Sequence, residues 1–359
     1  MKDIIIVHDF DGRPYFKALE KNFRCKFVNS RPIRFLIRDI VKKRKISKDS
    51  IDSLLFLLLL PFHRNNTIIL GMAPFNFRLF IYGMLCHRNK VFLHSSWHQW
   101  MGKTPFSYMG ILNKFYKKIW RSYLPRFEKI IAVTKATKQS ILEFSSPIPL
   151  IIDVIPHVVD IDPITRFELE QKWNSKDIQG LFVGRLTPEK GINDIVKISA
   201  NMQSGLLKNA NIKIAGKGSL ENEIIDASRD ITGLSYLGYI SSREQLRDLM
   251  KQSQFFLLPS KKIEGWEELF GLVIVEAMSQ GCVVIASNHI GPKEIISDRN
   301  DGILCEENEF IDITLRHFND FYINESRYNE MSIHALDKSQ NYSMNKISQH
   351  WFKIINNLK

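Results

Sequence analysis

Cysteine is scarce in this 359-residue chain. Cys25, Cys86, Cys282 and Cys305 stand far apart and form none of the close pairs that redox motifs or thiolate metal sites require. They are expected as buried thiols in a reducing compartment. The ten histidines show no metal-ligand spacing, so no metal is expected; no cofactor is expected either, since the one glycine-rich turn, 216–218, lacks the third glycine of a nicotinamide site. Long apolar runs are missing as well. The longest, residues 54–62, is far short of the roughly 20 residues that cross a bilayer as a helix, and reads as a buried or interfacial helix. The opening Met1-Lys2-Asp3 runs into a brief apolar stretch followed at once by Asp9 and Asp11, too short for a signal peptide, and cytoplasmic residence is the expectation.

Acidic residues are scarce in one half only. Residues 1–160 carry 27 Lys+Arg against 11 Asp+Glu, a surplus of +16, whereas the remainder carries 23 against 27. The overall +12 therefore comes from the first half alone, and the halves face different partners. With 44% hydrophobic and 25% charged residues the chain has a globular composition, and its length favours two domains over one.

Short β-branched runs separated by helical stretches recur along the chain: 3–8, 24–28, 67–71, 90–94, 129–134 and 151–155, then 180–184, 211–216, 234–239, 254–259, 282–287 and 302–305. That alternation predicts an α/β protein whose strands pair in parallel through crossover helices. Ile155-Pro156-His157-Val158-Val159-Asp160, with Pro163 after it, marks a boundary, dividing the chain into residues 1–162 and 163–342. A charged helix is expected from about Thr165 to Trp173. Residues 343–359 carry apolar side chains at helical spacing and form a closing helix. Periodicity leaves its host open, with the first domain the candidate.

Several segments hold candidate chemistry. In Gly180-Leu-Phe-Val-Gly-Arg185-Leu-Thr-Pro-Glu-Lys190-Gly191 a strand enters a turn with two cations five apart, and a helix follows. Such cations beside a helix N-terminus suit a diphosphate; the alternative is ordinary surface charge. In the stretch 264–281, Phe270 or Gly271 should open a helix that Gly281 closes, with Glu268 before it and Glu276 inside an otherwise apolar segment. A carboxylate there needs a partner: sugar diols on one reading, a buried Arg or Lys for Glu276 and a helix cap for Glu268 on the other. Gly216-Lys217-Gly218 lacks the third glycine of a dinucleotide fingerprint and reads as a tight turn. In the first half, His94 (or His98) stands where a parallel strand ends, and Gly12 follows the first strand where backbone approaches a phosphate. The segment 113–123, with aromatics among cations, together with Lys42-Lys43-Arg44-Lys45, suggests attraction to an anionic membrane surface more than to nucleic acid.

The second half resembles glycosyltransferase family 4. The resemblance rests on Gly184-Arg-Leu-Thr-Pro-Glu-Lys-Gly191, Gly216-Lys-Gly218, Pro259-Ser260 leading to two glutamates with seven residues between them, Gly281-Cys-Val-Val-Ile-Ala-Ser287 and Gly291-Pro-Lys-Glu294. Departures are His157 where Asn is common, Val283 where Pro is frequent, and Ile290 in place of the first of two glycines. The resemblance implies a GT-B fold, two Rossmann-like domains whose parallel sheets face across a deep cleft, and a retaining, metal-independent hexosyl transfer from a UDP- or GDP-linked sugar. It places Arg185 and Lys190 on the donor diphosphate, Glu276 on the ribose, Glu268 on the transferred sugar, and the backbone of Phe270, Gly271 and Leu272 on sugar and distal phosphate. His94 becomes the histidine at the reacting sugar. The implied acceptor is a saccharide or polyprenyl-linked saccharide of surface polysaccharide synthesis, met by the basic domain at the inner face of the plasma membrane. A nucleotide-sugar epimerase of the same fold and a non-catalytic nucleotide-sugar binding protein stay open as alternatives.

Overall fold

The computed structural model describes residues 1–9, 12–101, 111–174, 177–264 and 266–357. Asp11, Gly265 and Leu358 of the segments above lie outside them, as do the side chains of Lys42 and Lys43. The chain divides into two compact units, Met1–Val158 with Met344–Lys359, and Val159–Ser343.

The first unit is built on a six-stranded sheet of β1 (Asp3–His8), β2 (Arg24–Asn29), β3 (Thr67–Gly71), β4 (Lys90–Ser95), β5 (Lys129–Ala132) and β6 (Ile152–Val154), in the order β2-β1-β3-β4-β5-β6. Every pairing is parallel. Side chains alternate between two buried faces, as covered parallel strands require. Val7, Ile68, Leu70, Leu93 and Ile130 pack with Trp100 and Trp120, whereas Ile4, Ile6, Ile69, Phe92 and Ile131 pack with Phe16. The closing helix Met344–Ile355 joins the second face through Ile347, Trp351 and Ile355, four residues apart on one stripe.

Two local readings change. The apolar run 54–62 divides between the helix Lys48–Leu58 and a 3-10 turn, Leu60–Phe62. Phe56 and Leu60 are buried, but Leu55, Leu58, Leu59 and Phe62 are exposed, so the run is not a buried helix. The strand read at 129–134 stops at Ala132 because Thr134 caps the next helix, Lys135–Ser145, accepting from the Thr137 N–H. All four thiols are free; Cys282 and Cys305 are buried, and Cys25 and Cys86 only partly so.

The second unit repeats the architecture with β7 (Gln179–Val183), β8 (Asn211–Ala215), β9 (Leu234–Tyr236), β10 (Phe255–Leu258), β11 (Val283–Ser287) and β12 (Ile303–Cys305), ordered β12-β11-β10-β7-β8-β9 and again parallel. Its first helix, Arg166–Trp173, starts on a capping box in which Thr165 and Glu168 satisfy each other's backbone. In both sheets the order turns back beside the first strand, and the crevices of open α/β sheets form at the carboxyl ends near such a reversal.

Candidate active site

At the carboxyl ends of β7 and β8 lies a cavity of about 430 Å³, lined among others by Arg185, Lys217, Tyr239, Arg243 and Glu276. Backbone bonds build its rim. After β7 the Gly184 N–H donates to Ala215 O at 3.1 Å and the Leu186 N–H to Lys217 O at 3.0 Å, so the loop after the first strand is hooked onto the loop after the second. Arg185 emerges there, 61% exposed, with Glu189 Oε1 3.3 Å away as its one ion partner among the described residues. An exposed pair of this kind contributes little to stability, and it leaves the guanidinium at the cavity available to an anion.

Lys190 stands at the end of the short turn Pro188–Lys190. Its ammonium donates to Glu268 Oε2 at 2.5 Å and lies 4.8 Å from the centre of the Trp266 ring. Glu268 also receives the Ser260 hydroxyl at 3.4 Å. Glu268 is thus no helix cap; its carboxylate pairs with the lysine predicted to serve the diphosphate. The turn is tied to the strand opposite by the Lys261 N–H, which donates to Glu189 O at 2.8 Å, while the Lys261 ammonium reaches Asp194 at 2.5 Å.

Phe270, Gly271 and Leu272 form the entry to the helix Leu272–Ser279, with Gly271 preceding it in the left-handed region. The first N–H groups of a helix have no acceptor within it, so Leu272 and Val273 present donors at this end. The preceding loop is held by Gly291, whose N–H donates to Glu268 O at 2.9 Å, and by His289. The Glu268 N–H donates to His289 Nδ1 at 3.3 Å and His289 Nε2 faces Glu307 Oε1 at 2.9 Å, which fixes the proton on Nε2. Any side chain at 291 would drive a Cβ to 2.6 Å from the Phe270 nitrogen. The second of the two family glycines is therefore needed for close approach, and the first position tolerates Ile290, whose N–H is taken by Glu267 at 3.2 Å.

Glu276, one turn into that helix, has no hydrogen bond or ion pair to its carboxylate among the described residues. Burial pushes its pKa up; Arg243 pulls it down and Asp160 pushes it further up. Neither a buried Arg nor a buried Lys pairs with it, contrary to the second of the two readings of the sequence. Arg243, Tyr239 and Asp160 were absent from the sequence-based set. The signal for Arg243 was the Ser-Ser-Arg start of a helix after a strand end: Ser242 caps the helix Arg243–Gln252 and so aims its first residue at the cavity.

In the first unit, His94 is the penultimate residue of β4, with only 6% exposure, its ring 4.8 Å from that of Phe16, 6.2 Å from Trp351 and 6.3 Å from His157. Burial first, then His157 and His8, hold its pKa well below the ordinary imidazole value. It is therefore neutral at pH 7, a hydrogen-bond partner and not a cation. His98 follows β4 beside Trp97, at 6.4 Å. Gly12 precedes the four-residue helix Arg13–Phe16 at φ −83°, a conformation open to any residue, and its missing Cβ makes room for the His8 ring. His157 is lowered to about 4, by burial and then by His8. A histidine lowered on folding is neutral in both states above pH 6.5, and between there and pH 4 only the unfolded chain takes the proton. Unfolding followed against pH should accordingly show stability falling by on the order of 2–3 kcal/mol from pH 7 to pH 4 on account of this residue, and His157→Asn should flatten that slope. An unchanged slope in the variant would remove His157 as its cause.

A family model described as glycosyl transferases group 1 matches residues 164–337. An uncharacterised glycosyltransferase of Methanocaldococcus jannaschii is 25% identical over 243 residues, 64% of this chain and 58% of that one. An Escherichia coli enzyme named UDP-Gal:alpha-D-GlcNAc-diphosphoundecaprenol alpha-1,3-galactosyltransferase is 29% identical over 188 residues, 49% of this chain and 47% of its own length. The chain thus spans roughly half the length of these curated relatives. Among solved structures, Anabaena HepE in complex with UDP superposes with a TM-score of 0.67 at 15% identity, covering all of both chains. The fold is that of the GT-B glycosyltransferases, two Rossmann-like domains each with a parallel sheet.

Proposed function

We propose that the chain is a retaining, metal-independent glycosyltransferase that moves a hexose from a nucleoside-diphosphate sugar to a lipid-linked saccharide. The observation that carries this reading is Glu276: a partly buried carboxylate with no hydrogen bond or ion pair among the described residues, in a cavity rimmed by Arg185, Lys217 and Arg243. A carboxylate accepts two hydrogen bonds from a vicinal diol such as that of ribose, and the surrounding cations suit a diphosphate. The match of residues 164–337 to the group 1 family model supports the same reading. The relative from Escherichia coli, named for UDP-Gal and a diphosphoundecaprenol-linked acceptor, makes UDP the first nucleotide to test.

As the bond from the anomeric carbon to the diphosphate breaks, negative charge grows on the leaving group. Arg185, Lys190 and the donors of Leu272 and Val273 stabilise that charge, so the reading calls for no metal. With the diphosphate engaging Lys190, Glu268 exchanges its ammonium partner for hydroxyls of the transferred sugar. The resemblance assigns His94 to a sugar hydroxyl, a role that suits a neutral imidazole. The +16 surplus of residues 1–160 suits an acceptor with a phosphate-bearing lipid at an anionic membrane face; among the described residues no helix is long and apolar enough to cross a membrane.

The test is a thermal-shift titration with UDP, GDP and their sugars. One nucleoside diphosphate at about 100 times its Kd should stabilise the protein by about 2.7 kcal/mol. Absence of a shift with every nucleotide would overturn the reading, and a shift followed by sugar turnover without acceptor would turn it into an epimerase.

A further inference from the structure

Three turns meet beyond the carboxyl ends of β10, β11 and β12, and one imidazole joins them. The loop after β10 carries Lys261, Lys262 and Glu268, the turn after β11 carries His289 and Gly291, and the turn after β12 carries Glu307. His289 is 3% exposed. Its Nδ1 accepts from the Glu268 N–H at 3.3 Å, and its Nε2–H donates to Glu307 Oε1 at 2.9 Å. That carboxylate oxygen also accepts from the Lys262 N–H at 2.8 Å, and Glu307 O accepts from the Lys261 ammonium at 2.8 Å. Glu307 therefore holds the start of the β10 loop directly and its end through His289.

Both backbone groups of residue 268 are fixed on the β11 turn, the N–H on His289 and the carbonyl on the Gly291 N–H at 2.9 Å. The side chain is held separately, by Lys190 at 2.5 Å and the Ser260 hydroxyl at 3.4 Å. On the proposed reading Lys190 turns to the diphosphate as the donor binds, and the carboxylate then loses its shortest contact. What keeps it aimed at the sugar from that moment is the backbone on which it stands. The bond to Nδ1 needs that nitrogen bare, and Glu307, by holding the proton on Nε2, selects the tautomer that leaves it so. Packing alone would ask only for the volume of a ring. Two directed bonds of opposite sense ask for a histidine in one tautomer.

We infer that His289, oriented by Glu307, is a positioning residue for the transferred sugar: through the Glu268 backbone it sets where the Glu268 carboxylate meets the sugar hydroxyls, and it leaves binding of the nucleoside diphosphate unaffected. The inference rests on the proposed transferase reading, to which it adds two residues that act through Glu268 and not on the donor itself.

The experiment compares two amide variants by calorimetry on the whole chain, with UDP, UDP-galactose, UDP-glucose, GDP and GDP-mannose as probes. His289→Asn can place an amide oxygen where Nδ1 stands and keep the bond to Glu268, whereas His289→Gln reaches as far as Nε2, keeps Glu307 and offers nothing at Nδ1. His289→Gln should weaken the tightest nucleotide sugar about tenfold while its bare nucleoside diphosphate stays within about twofold of the parent. His289→Asn should stay within about threefold of the parent for both. Glu307→Ala changes a side chain that is 34% exposed, so it tests the same chain of contacts should the buried substitutions unfold the protein. It should weaken the nucleotide sugar about threefold and leave the bare diphosphate unchanged. Equal losses of sugar affinity in the two amide variants would reduce His289 to packing and overturn the inference. So would a loss for the bare diphosphate as large as for the sugar, or parent-like sugar affinity in either His289→Gln or Glu307→Ala. If UDP or GDP binds the parent and these variants keep the sugar, this inference alone falls; if neither nucleotide binds the parent, the transferase reading falls first.

Discussion

Lys190→Ala should lower kcat/KM for sugar transfer by about 10²–10³, the range seen when one preorganised donor to a developing negative charge is removed. The ammonium is held between Glu268 at 2.5 Å and the Trp266 ring, so it is already positioned when the diphosphate arrives. Truncation also leaves the Glu268 carboxylate, 13% exposed, without its cation, and some loss of stability accompanies the kinetic loss. The two effects separate in a double variant. If Lys190 serves only to neutralise Glu268, Lys190→Met with Glu268→Gln restores stability and turns over as fast as Glu268→Gln alone. If Lys190 meets the leaving diphosphate, stability returns and turnover stays far below that of Glu268→Gln alone. Arg185→Ala removes a cation whose one ion pair among the described residues is with Glu189 at 3.3 Å, so turnover should fall with little change in melting temperature. Turnover within a few-fold of the parent in both single variants would refute the assignment of the diphosphate to this turn.

Gly191→Ala should be among the most destabilising small substitutions in the second unit. The residue sits at φ +67°, and a Cβ there would lie 1.7 Å from Pro259 O. Adopting the left-handed region costs a side-chain-bearing residue roughly 1–2 kcal/mol, and displacing the backbone after β10 adds an overpacking cost of about 1–3 kcal/mol. Together these amount to roughly a third of the stability of a typical domain, and they fall on the turn that carries Lys190. Gly205 is the control: it has the same φ of +67° with nothing within 4 Å of the added Cβ, so Gly205→Ala feels the backbone strain alone. Denaturant unfolding of the two variants should differ by about the packing contribution. Equal losses would show that the contact with Pro259 does not matter.

Most of the fold was legible in the sequence because parallel strands buried on both faces are written as short β-branched runs, and the turns between them as Gly, Pro and capping residues. The errors fell where one side chain decides the outcome locally. Thr134 ends a strand by capping a helix, and the apolar run at 54–62 leaves one side in solvent because its helix closes at Leu58. At the candidate site, Arg185 and Glu276 were readable from type and spacing, since a cation at a strand end and a carboxylate in an apolar helix are each out of place without a ligand. The contact between Lys190 and Glu268 was not readable, because 78 residues separate them and only the pairing of β7 with β10 places their turns side by side. Arg243 was missed for a similar reason: it reaches the cavity through a helix cap after β9, a position with no apolar pattern to mark it.

Glu276 is where the account is most exposed. The measurement is the affinity of the tightest-binding nucleoside diphosphate for the parent and for Glu276→Gln, taken by calorimetry at pH 7. A carboxylate that accepts from two ribose hydroxyls contributes charge-assisted hydrogen bonds of about 1.5–3 kcal/mol, which the amide cannot reproduce on both oxygens. The variant should therefore bind about tenfold or more weakly, while its melting temperature without nucleotide stays the same or rises, because a partly buried charge with no ion pair among the described residues has been removed. Parent-like affinity in a folded Glu276→Gln protein would contradict the placement of the donor ribose, and with it the assignment of this cavity as the donor site.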